Sequence, residues 1–162
     1  MELTRKSCYS IGMSRAILAL LALAPLLGAG SIGSRVLYVG GTVAGVSGKV
    51  DARIDTVGPE SLHFSARGRT VDIPYREINT LEYGMRVSRR YMEAVLISPL
   101  FLVAKRRTHF LSIGYTDAEG RQQAMVLQVD KDTIRPLLVT LEARTGRKIE
   151  FQDEEARKAG KG

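Results

Sequence analysis

The hydrophobic pattern of this sequence has a period of two along most of the chain and a helical period only near its end. Apolar and polar residues alternate over residues 49–56, 62–66, 81–85, 111–115 and 123–129. This alternation is typical of half-buried β-strands, because successive side chains of a strand point to opposite faces. No helical pattern separates these strands, so a parallel sheet with crossover helices is excluded and an antiparallel arrangement is predicted.

Turn residues divide the alternating segments into short strands. Residues 57–60 (Val-Gly-Pro-Glu) separate two of them, Gly68 ends the second, and Val71 with Ile73 gives a further short strand. Residues 117–120 (Asp-Ala-Glu-Gly) predict the turn of a hairpin between the last two strands. Together these patterns predict about six or seven strands.

After residue 130 the apolar spacing becomes that of an amphipathic helix. The residues at positions i, i+3, i+4 and i+7 are Ile134, Leu137, Leu138 and Leu141. Asp130 or Asp132 can cap the N-terminus of this helix, and Gly146 is typical of a residue just beyond its C-terminus. We therefore predict one C-terminal α-helix at about residues 132–145.

The N-terminal region has the organisation of an export signal. Basic residues precede an uncharged apolar run at residues 16–27, which small residues follow at 28–31. This order predicts that residues 1–30 are a secretory signal peptide cut after Gly30, with Met1 or Met13 as the start. The alternative is an N-terminal anchor in the inner membrane, because extending the run to Ile32 gives about 17 residues, the lower limit for a spanning helix. Either interpretation places the rest of the chain in the periplasm or cell envelope.

The remaining chain divides by composition into three parts. Residues 31–47 are a glycine-rich lead-in, although residues 35–39 within it are a candidate strand. Residues 48–152 hold the predicted β domain and its helix. Residues 153–162 are charged and contain no core-forming residue other than alanine, so we expect a disordered tail.

The order of strands and helix resembles the pleckstrin-homology-like superfold, especially its bacterial and GRAM-like members. The resemblance rests on residues 62–64 (Leu-His-Phe), residues 73–75 (Ile-Pro-Tyr) followed by Ile78, the hairpin at 111–129 and the helix at 134–141. It implies a mainly β (α+β) fold in which a bent antiparallel sheet or partial barrel is capped by the C-terminal helix. The superfold has lipid-binding, peptide-binding and structural members, so the resemblance indicates architecture rather than a function.

The resemblance does not imply that this chain binds phosphoinositides. Members that bind these lipids commonly carry clustered basic residues in the first strand pair. This chain has only Lys49 and Arg53 there, interleaved with Asp51 and Asp55.

The most unusual segment of the sequence is residues 86–107, in which basic residues flank an uncharged run at 94–104. The residues that we predict to contact a membrane or a partner are Arg86, Arg89, Arg90, Leu96, Ile97, Leu100, Phe101, Lys105, Arg106 and Arg107. The uncharged run is about 17 Å long as a helix, too short for a bilayer core of about 30 Å. A turn at residues 98–99 (Ser-Pro) would form an apolar tip above a basic collar, suited to an anionic membrane surface.

Two other interpretations of this segment stay open. The apolar run can be a core strand or short helix whose basic ends lie in solvent, or it can pack against another subunit in a homo-oligomer. Salt distinguishes them, because ionic strength weakens a charge-dependent contact with lipid more than an apolar contact between subunits.

Other functions are disfavoured by what the sequence lacks. Neither His63 nor His109 lies in a catalytic motif, and no spacing of His, Cys or carboxylates predicts a metal site, so we expect no enzyme activity, cofactor or metal. The glycine-rich residues 40–49 depart from the phosphate-loop pattern at Val43 and Val50. A hydrolase remains an alternative if either histidine meets a carboxylate in a cleft. Removal of residues 1–30 leaves 21 basic and 16 acidic residues, and a net charge of +5 is small for a nucleic-acid partner.

Overall fold

The computed structural model describes residues 33–94 and 108–161. In order along the chain, the strands are β1 (Ser34–Gly41), β2 (Val50–Asp55), β3 (Ser61–Ala66), β4 (Arg69–Pro74), β5 (Ile78–Gly84), β6 (His109–Thr116), β7 (Gln122–Val129) and β8 (Glu150–Phe151). The helices of the described residues are α1 (Arg89–Ala94), α2 (Lys131–Thr145) and α3 (Glu154–Lys161), and a single 3₁₀ turn (Tyr75–Glu77) joins β4 to β5.

All eight strands belong to one open sheet in the order β4-β3-β2-β1-β7-β6-β5-β8. The neighbouring strands are antiparallel except β5 and β8, which are parallel. The prediction of a mainly β fold with a C-terminal helix is confirmed. The sheet is mixed rather than wholly antiparallel, because β8 is parallel to β5. It has eight strands rather than the six or seven predicted, since β8 has only two residues and cannot show an alternating pattern.

The predicted hairpin between the last two long strands is confirmed. Strands β6 and β7 pair along their whole length, with Leu111 opposite Leu127. Asp117 closes the turn by accepting hydrogen bonds from the backbone N–H groups of Glu119 (3.1 Å) and Arg121 (2.8 Å). Gly120 has φ 76°, a conformation that favours glycine.

Within the glycine-rich lead-in predicted for residues 31–47, the candidate strand at residues 35–39 is confirmed. Ser34–Gly41 forms β1, which lies between β2 and β7 near the middle of the sheet. The glycine at 41 is required by packing rather than by flexibility, since a Cβ there would lie 2.5 Å from the carbonyl oxygen of Ala124 and 2.6 Å from the hydroxyl of Tyr38.

Helix α2 forms as predicted and covers the main core. Its four predicted apolar residues are buried together with large side chains of the sheet such as Tyr38 and Phe64. Asp130 occupies the N-cap position without a capping hydrogen bond from its side chain, and Gly146 ends the helix in the left-handed conformation. The i, i+3, i+4, i+7 pattern was sufficient to predict this helix because its whole apolar stripe faces the sheet.

The prediction of a disordered tail after residue 152 is wrong for the described residues. Glu154–Lys161 is a helix whose first turn is capped by Asp153, which accepts a hydrogen bond from the N–H of Ala156 at 2.6 Å. Ala156 is completely buried, and a Cβ on Gly160 would lie 2.6 Å from the ring of Phe151. Small residues four positions apart allow the backbone of α3 to approach the core closely, an interaction that a count of large apolar residues overlooks.

Candidate functional site

The structure describes the beginning of the predicted contact segment and the strand that follows it. Arg86, Arg89 and Arg90 lie in the described part and are exposed. The other predicted contact residues lie outside the described residues: Leu96, Ile97, Leu100, Phe101, Lys105, Arg106 and Arg107. Residues 1–30, for which the sequence predicts a signal peptide, also lie outside them.

Helix α1 packs on the face of the sheet opposite the main core. Val87 and Tyr91 are buried in a small apolar cluster with Val39 of β1, Phe110 of β6 and Val126 of β7. Burial raises the pKa of Tyr91 to about 12. Tyr91 and Phe110 belong to the same cluster. The parts of the chain that precede and follow residues 95–107 therefore lie in one region of the domain.

Arg90 holds α1 to the sheet through an ion-pair network. Its guanidinium donates to Oε2 of Glu82 at 2.7 Å and to Oε2 of Glu150 at 3.2 Å, and it lies 5.3 Å from the ring centre of Tyr91. The other carboxylate oxygen of Glu82 accepts from the side-chain amide of Gln152 at 2.9 Å. The hydrogen bond to Glu82 raises the pKa of Arg90 above its ordinary value. Arg90 therefore differs from the collar cation predicted from sequence, because carboxylates of the same domain already neutralise it.

Glu82 is a buried carboxylate that the sequence pattern did not predict. Only 7% of its side chain is exposed. Within β5 it alternates with the core residues Leu81 and Tyr83, so the period of two predicts a solvent-facing position. Helix α1 and the Gln152 side chain cover that face in the folded protein. The one clue in the sequence is Arg90, eight positions after Glu82. The two side chains meet only because the chain turns after β5.

His109 is also buried, although the sequence placed it only at the end of a basic run. Its ring is nearly parallel to that of Tyr83, with 5.9 Å between ring centres, and its Nδ1 contacts the Tyr83 hydroxyl. Burial, reinforced by the charge of Lys131, lowers the pKa of His109 below 6.5. Burial likewise raises the pKa of Tyr83, so at neutral pH both rings are uncharged.

His63 faces outward from β3 as the alternation predicts. Its Nδ1 contacts Oδ1 of Asp72 on the neighbouring strand β4, where the two residues are directly opposite. The side chains are 42% and 62% exposed. This pair is a cross-strand contact on an open surface rather than the enclosed His–carboxylate pair that a hydrolase site requires.

A cavity with a volume of about 740 Å³ lies between β4, the β6–β7 turn and the loop after β1. Asp117 at its edge accepts from Arg121 at 2.9 Å and from the amide of Gln123 at 2.7 Å. Partial desolvation favours the protonated carboxyl, but the hydrogen bonds from Arg121 and Gln123 outweigh it and lower the pKa of Asp117. The carboxylate is thus engaged in stabilising the hairpin turn.

Within residues 33–94 and 108–161, no group of three or more His, Cys, Asp or Glu side chains is arranged to hold a metal ion. The helices in the same residues lack the combination of length and apolar character needed to cross a bilayer. No protein-family model matches the chain, and no curated protein matches it. The fold itself defines its class as a mainly β domain with an open eight-stranded sheet and a helix packed over its core.

Proposed function

We propose that this protein is a non-catalytic binding module of pleckstrin-homology-like architecture that contacts an anionic membrane surface through residues 86–107. The architecture is supported by an open sheet whose last long strand leads directly into the helix that covers the core. The proposed location is the periplasm or cell envelope, after removal of residues 1–30.

One structural observation carries the proposal for the segment. The buried side chains of Tyr91, before the apolar run, and Phe110, after it, meet in one cluster. Both ends of the segment are therefore fixed to the same region of a folded domain. The cost of ordering a contact loop is reduced when its ends are already held together.

The electrostatic part of the mechanism rests on the basic residues other than Arg90. Arg86 and Arg89 are exposed beside the beginning of the segment, and Lys105, Arg106 and Arg107 follow the apolar run in the sequence. Each cation near an anionic surface contributes about 1 kcal/mol, whereas Arg90 is held by Glu82 and contributes mainly to stability.

Vesicle co-sedimentation tests the proposal with two substitutions and two matched controls. Leu100→Asp removes apolar insertion and Arg106→Glu reverses a collar charge, so both are expected to lose binding to vesicles that contain phosphatidylglycerol. Val139→Asp and Arg157→Glu make the same changes at exposed positions of α2 and α3 and should bind as the wild type does.

Binding should also weaken as salt rises from low ionic strength to about 0.5 M, because the Debye length falls below 10 Å. Unchanged binding by both segment variants would refute the mechanism. Salt-insensitive self-association that Leu100→Asp abolishes would favour the assembly-subunit alternative instead.

Sequencing of the N-terminus tests the proposed location. A protein recovered from the envelope should begin near Ser31. A membrane-bound chain with an intact Met1 or Met13 terminus would show an uncleaved anchor.

A further inference from the structure

A second cavity lies at the N-terminal end of α2 and has a volume of about 610 Å³. His109, Lys131 and Arg135 supply its basic and polar lining, Asp132 is its one acidic residue, and Met85 and Pro136 are part of its apolar wall. Met85 directly precedes the proposed contact segment and His109 begins the strand that follows it. The cavity is therefore at the base of that segment.

The contact between Tyr83 and His109 engages one ring nitrogen of the imidazole and leaves the other for a different partner. Tyr83 is fully buried, so its hydroxyl needs an acceptor, and Nδ1 of His109 is the partner that it meets. With Nδ1 accepting from Tyr83, a neutral imidazole carries its proton on Nε2. Nε2 is on the ring edge that turns away from Tyr83, and His109, which is 91% buried, lines the cavity.

The remaining polar groups favour an anion beside this N–H. Lys131 is the first residue of α2, so its charge adds to the partial positive charge of the helix end, and the neighbouring carboxylates of Asp130 and Asp132 offset part of it. Arg135 lines the cavity and donates from Nε to the carbonyl oxygen of Ala159 at 2.9 Å, a bond that leaves its two terminal nitrogens for other acceptors. Two cations, one neutral N–H and a helix N-terminus thus surround a space with a single carboxylate, that of Asp132.

We propose that this cavity binds a phosphate group, which accepts hydrogen bonds from Nε2 of His109 and from Lys131 and Arg135. The identification of the phosphate as the headgroup of an anionic phospholipid rests on the proposed membrane function, since the cavity adjoins the ends of the contact segment. Met85 and Pro136 would contact the glycerol backbone. Free inorganic phosphate offers the same acceptor atoms without that apolar contact.

Two substitutions of His109 separate ligand binding from structural support. In His109→Asn, the amide oxygen takes the position of Nδ1 and can accept from Tyr83, but the Nε2 donor is lost. In His109→Gln, the amide nitrogen reaches the position of Nε2. We expect His109→Asn and the double variant K131Q/R135Q to bind inorganic phosphate at least about tenfold more weakly by calorimetry, with His109→Gln closer to the wild type.

Lys148→Gln is the matched control, because it removes one exposed cation at the other end of α2. It should leave phosphate binding unchanged. Nitrogen-15 spectra of the wild-type imidazole should show the proton on Nε2 and a shift of that resonance when phosphate is added. A proton on Nδ1, or equal phosphate affinity of K131Q/R135Q and Lys148→Gln, would overturn the proposal.

Vesicles distinguish the two sources of phosphate and separate this inference from the proposed function. If the phospholipid headgroup is the ligand, His109→Asn should also weaken binding to phosphatidylglycerol vesicles by about tenfold. Weakened phosphate binding with unchanged vesicle binding would overturn the headgroup assignment. Vesicle binding that Leu100→Asp abolishes but the cavity variants retain would leave the proposed function standing without this site. Phosphate binding by a protein that does not bind vesicles would support the site and contradict the membrane function.

Discussion

Removal of the Arg90 guanidinium tests whether an ion pair, rather than apolar packing alone, holds α1 on the sheet. In Arg90→Gln, Oε2 of Glu82 loses a donor at 2.7 Å while only 7% of the Glu82 side chain is open to water. The amide of Gln152 still satisfies the other oxygen. The substitution therefore leaves the buried Glu82 carboxylate with the hydrogen bond from Gln152 but without the one from Arg90.

The expected loss in the free energy of unfolding is about 2 kcal/mol. Hydrogen bonds to charged groups contribute about 1.5–3 kcal/mol, and breaking a fully buried pair costs about 3–5 kcal/mol. The lower range applies because 57% of the Arg90 side chain is exposed and water screens part of the interaction. Loss of the contact with the Tyr91 ring adds at most about 1 kcal/mol.

Urea denaturation followed by far-ultraviolet circular dichroism provides the measurement, with Arg157→Gln as the control. Arg157 pairs with Glu154 in a solvent-exposed i, i+3 arrangement, and its removal should cost less than about 0.5 kcal/mol. Adding Glu82→Gln to Arg90→Gln should recover about 1 kcal/mol, since it removes the unpaired buried charge. Equal destabilisation by Arg90→Gln and Arg157→Gln, or strict additivity of the Glu82 and Arg90 substitutions, would refute the reasoning.

Three further predictions concern the core, the last helix and pH. Leu141→Ala removes a fully buried side chain of α2 and should cost about 3 kcal/mol, whereas Val139→Ala on the exposed face should change stability by less than about 0.5 kcal/mol. Gly160→Val places methyl groups where a Cβ is already 2.6 Å from Phe151, so it should cost about 1–3 kcal/mol. Because the pKa of His109 is lowered from 6.5 in the folded state, the unfolded chain binds a proton first as pH falls; the free energy of unfolding should therefore decrease between pH 7 and pH 5, and decrease less in His109→Gln.

Each of these predictions has a result that contradicts it. Similar losses for Leu141→Ala and Val139→Ala in urea titrations would contradict the assigned face of α2. Wild-type stability of Gly160→Val would show that α3 does not pack against the core. The same pH dependence in the wild type and His109→Gln would mean that His109 titrates alike in the folded and unfolded chains.

Local sequence patterns predicted the strands whose apolar residues alternate with polar ones and the helix whose apolar residues recur at helical spacing. The hairpin of β6 and β7 and the helix α2 belong to this group, because each presents a regular apolar face of its own. Strand β1 was only partly predicted, since its two terminal glycines suggest a loop until the close approach of β7 is known. Strand β8 has two residues and forms only through pairing with β5.

The candidate sites depended more on tertiary structure than the fold did. The sequence indicated the basic and apolar character of residues 86–107, which is a property of composition. It could not show that Arg90 is neutralised by Glu82, because their contact requires the turn after β5 and a covered sheet face. The lowered pKa of His109 likewise depends on burial by other segments and on the charge of Lys131, which is distant along the chain.

By itself, the sequence determined the mainly β class, the final hairpin and the long helix, since hydrophobic periodicity acts through neighbours a few positions apart. Tertiary structure alone decided which charged and titratable groups are buried and which partners they have. Burial depends on what other segments cover a side chain, and the electrostatic energy of a buried group depends on atoms within a few ångströms in space rather than on neighbours in the sequence.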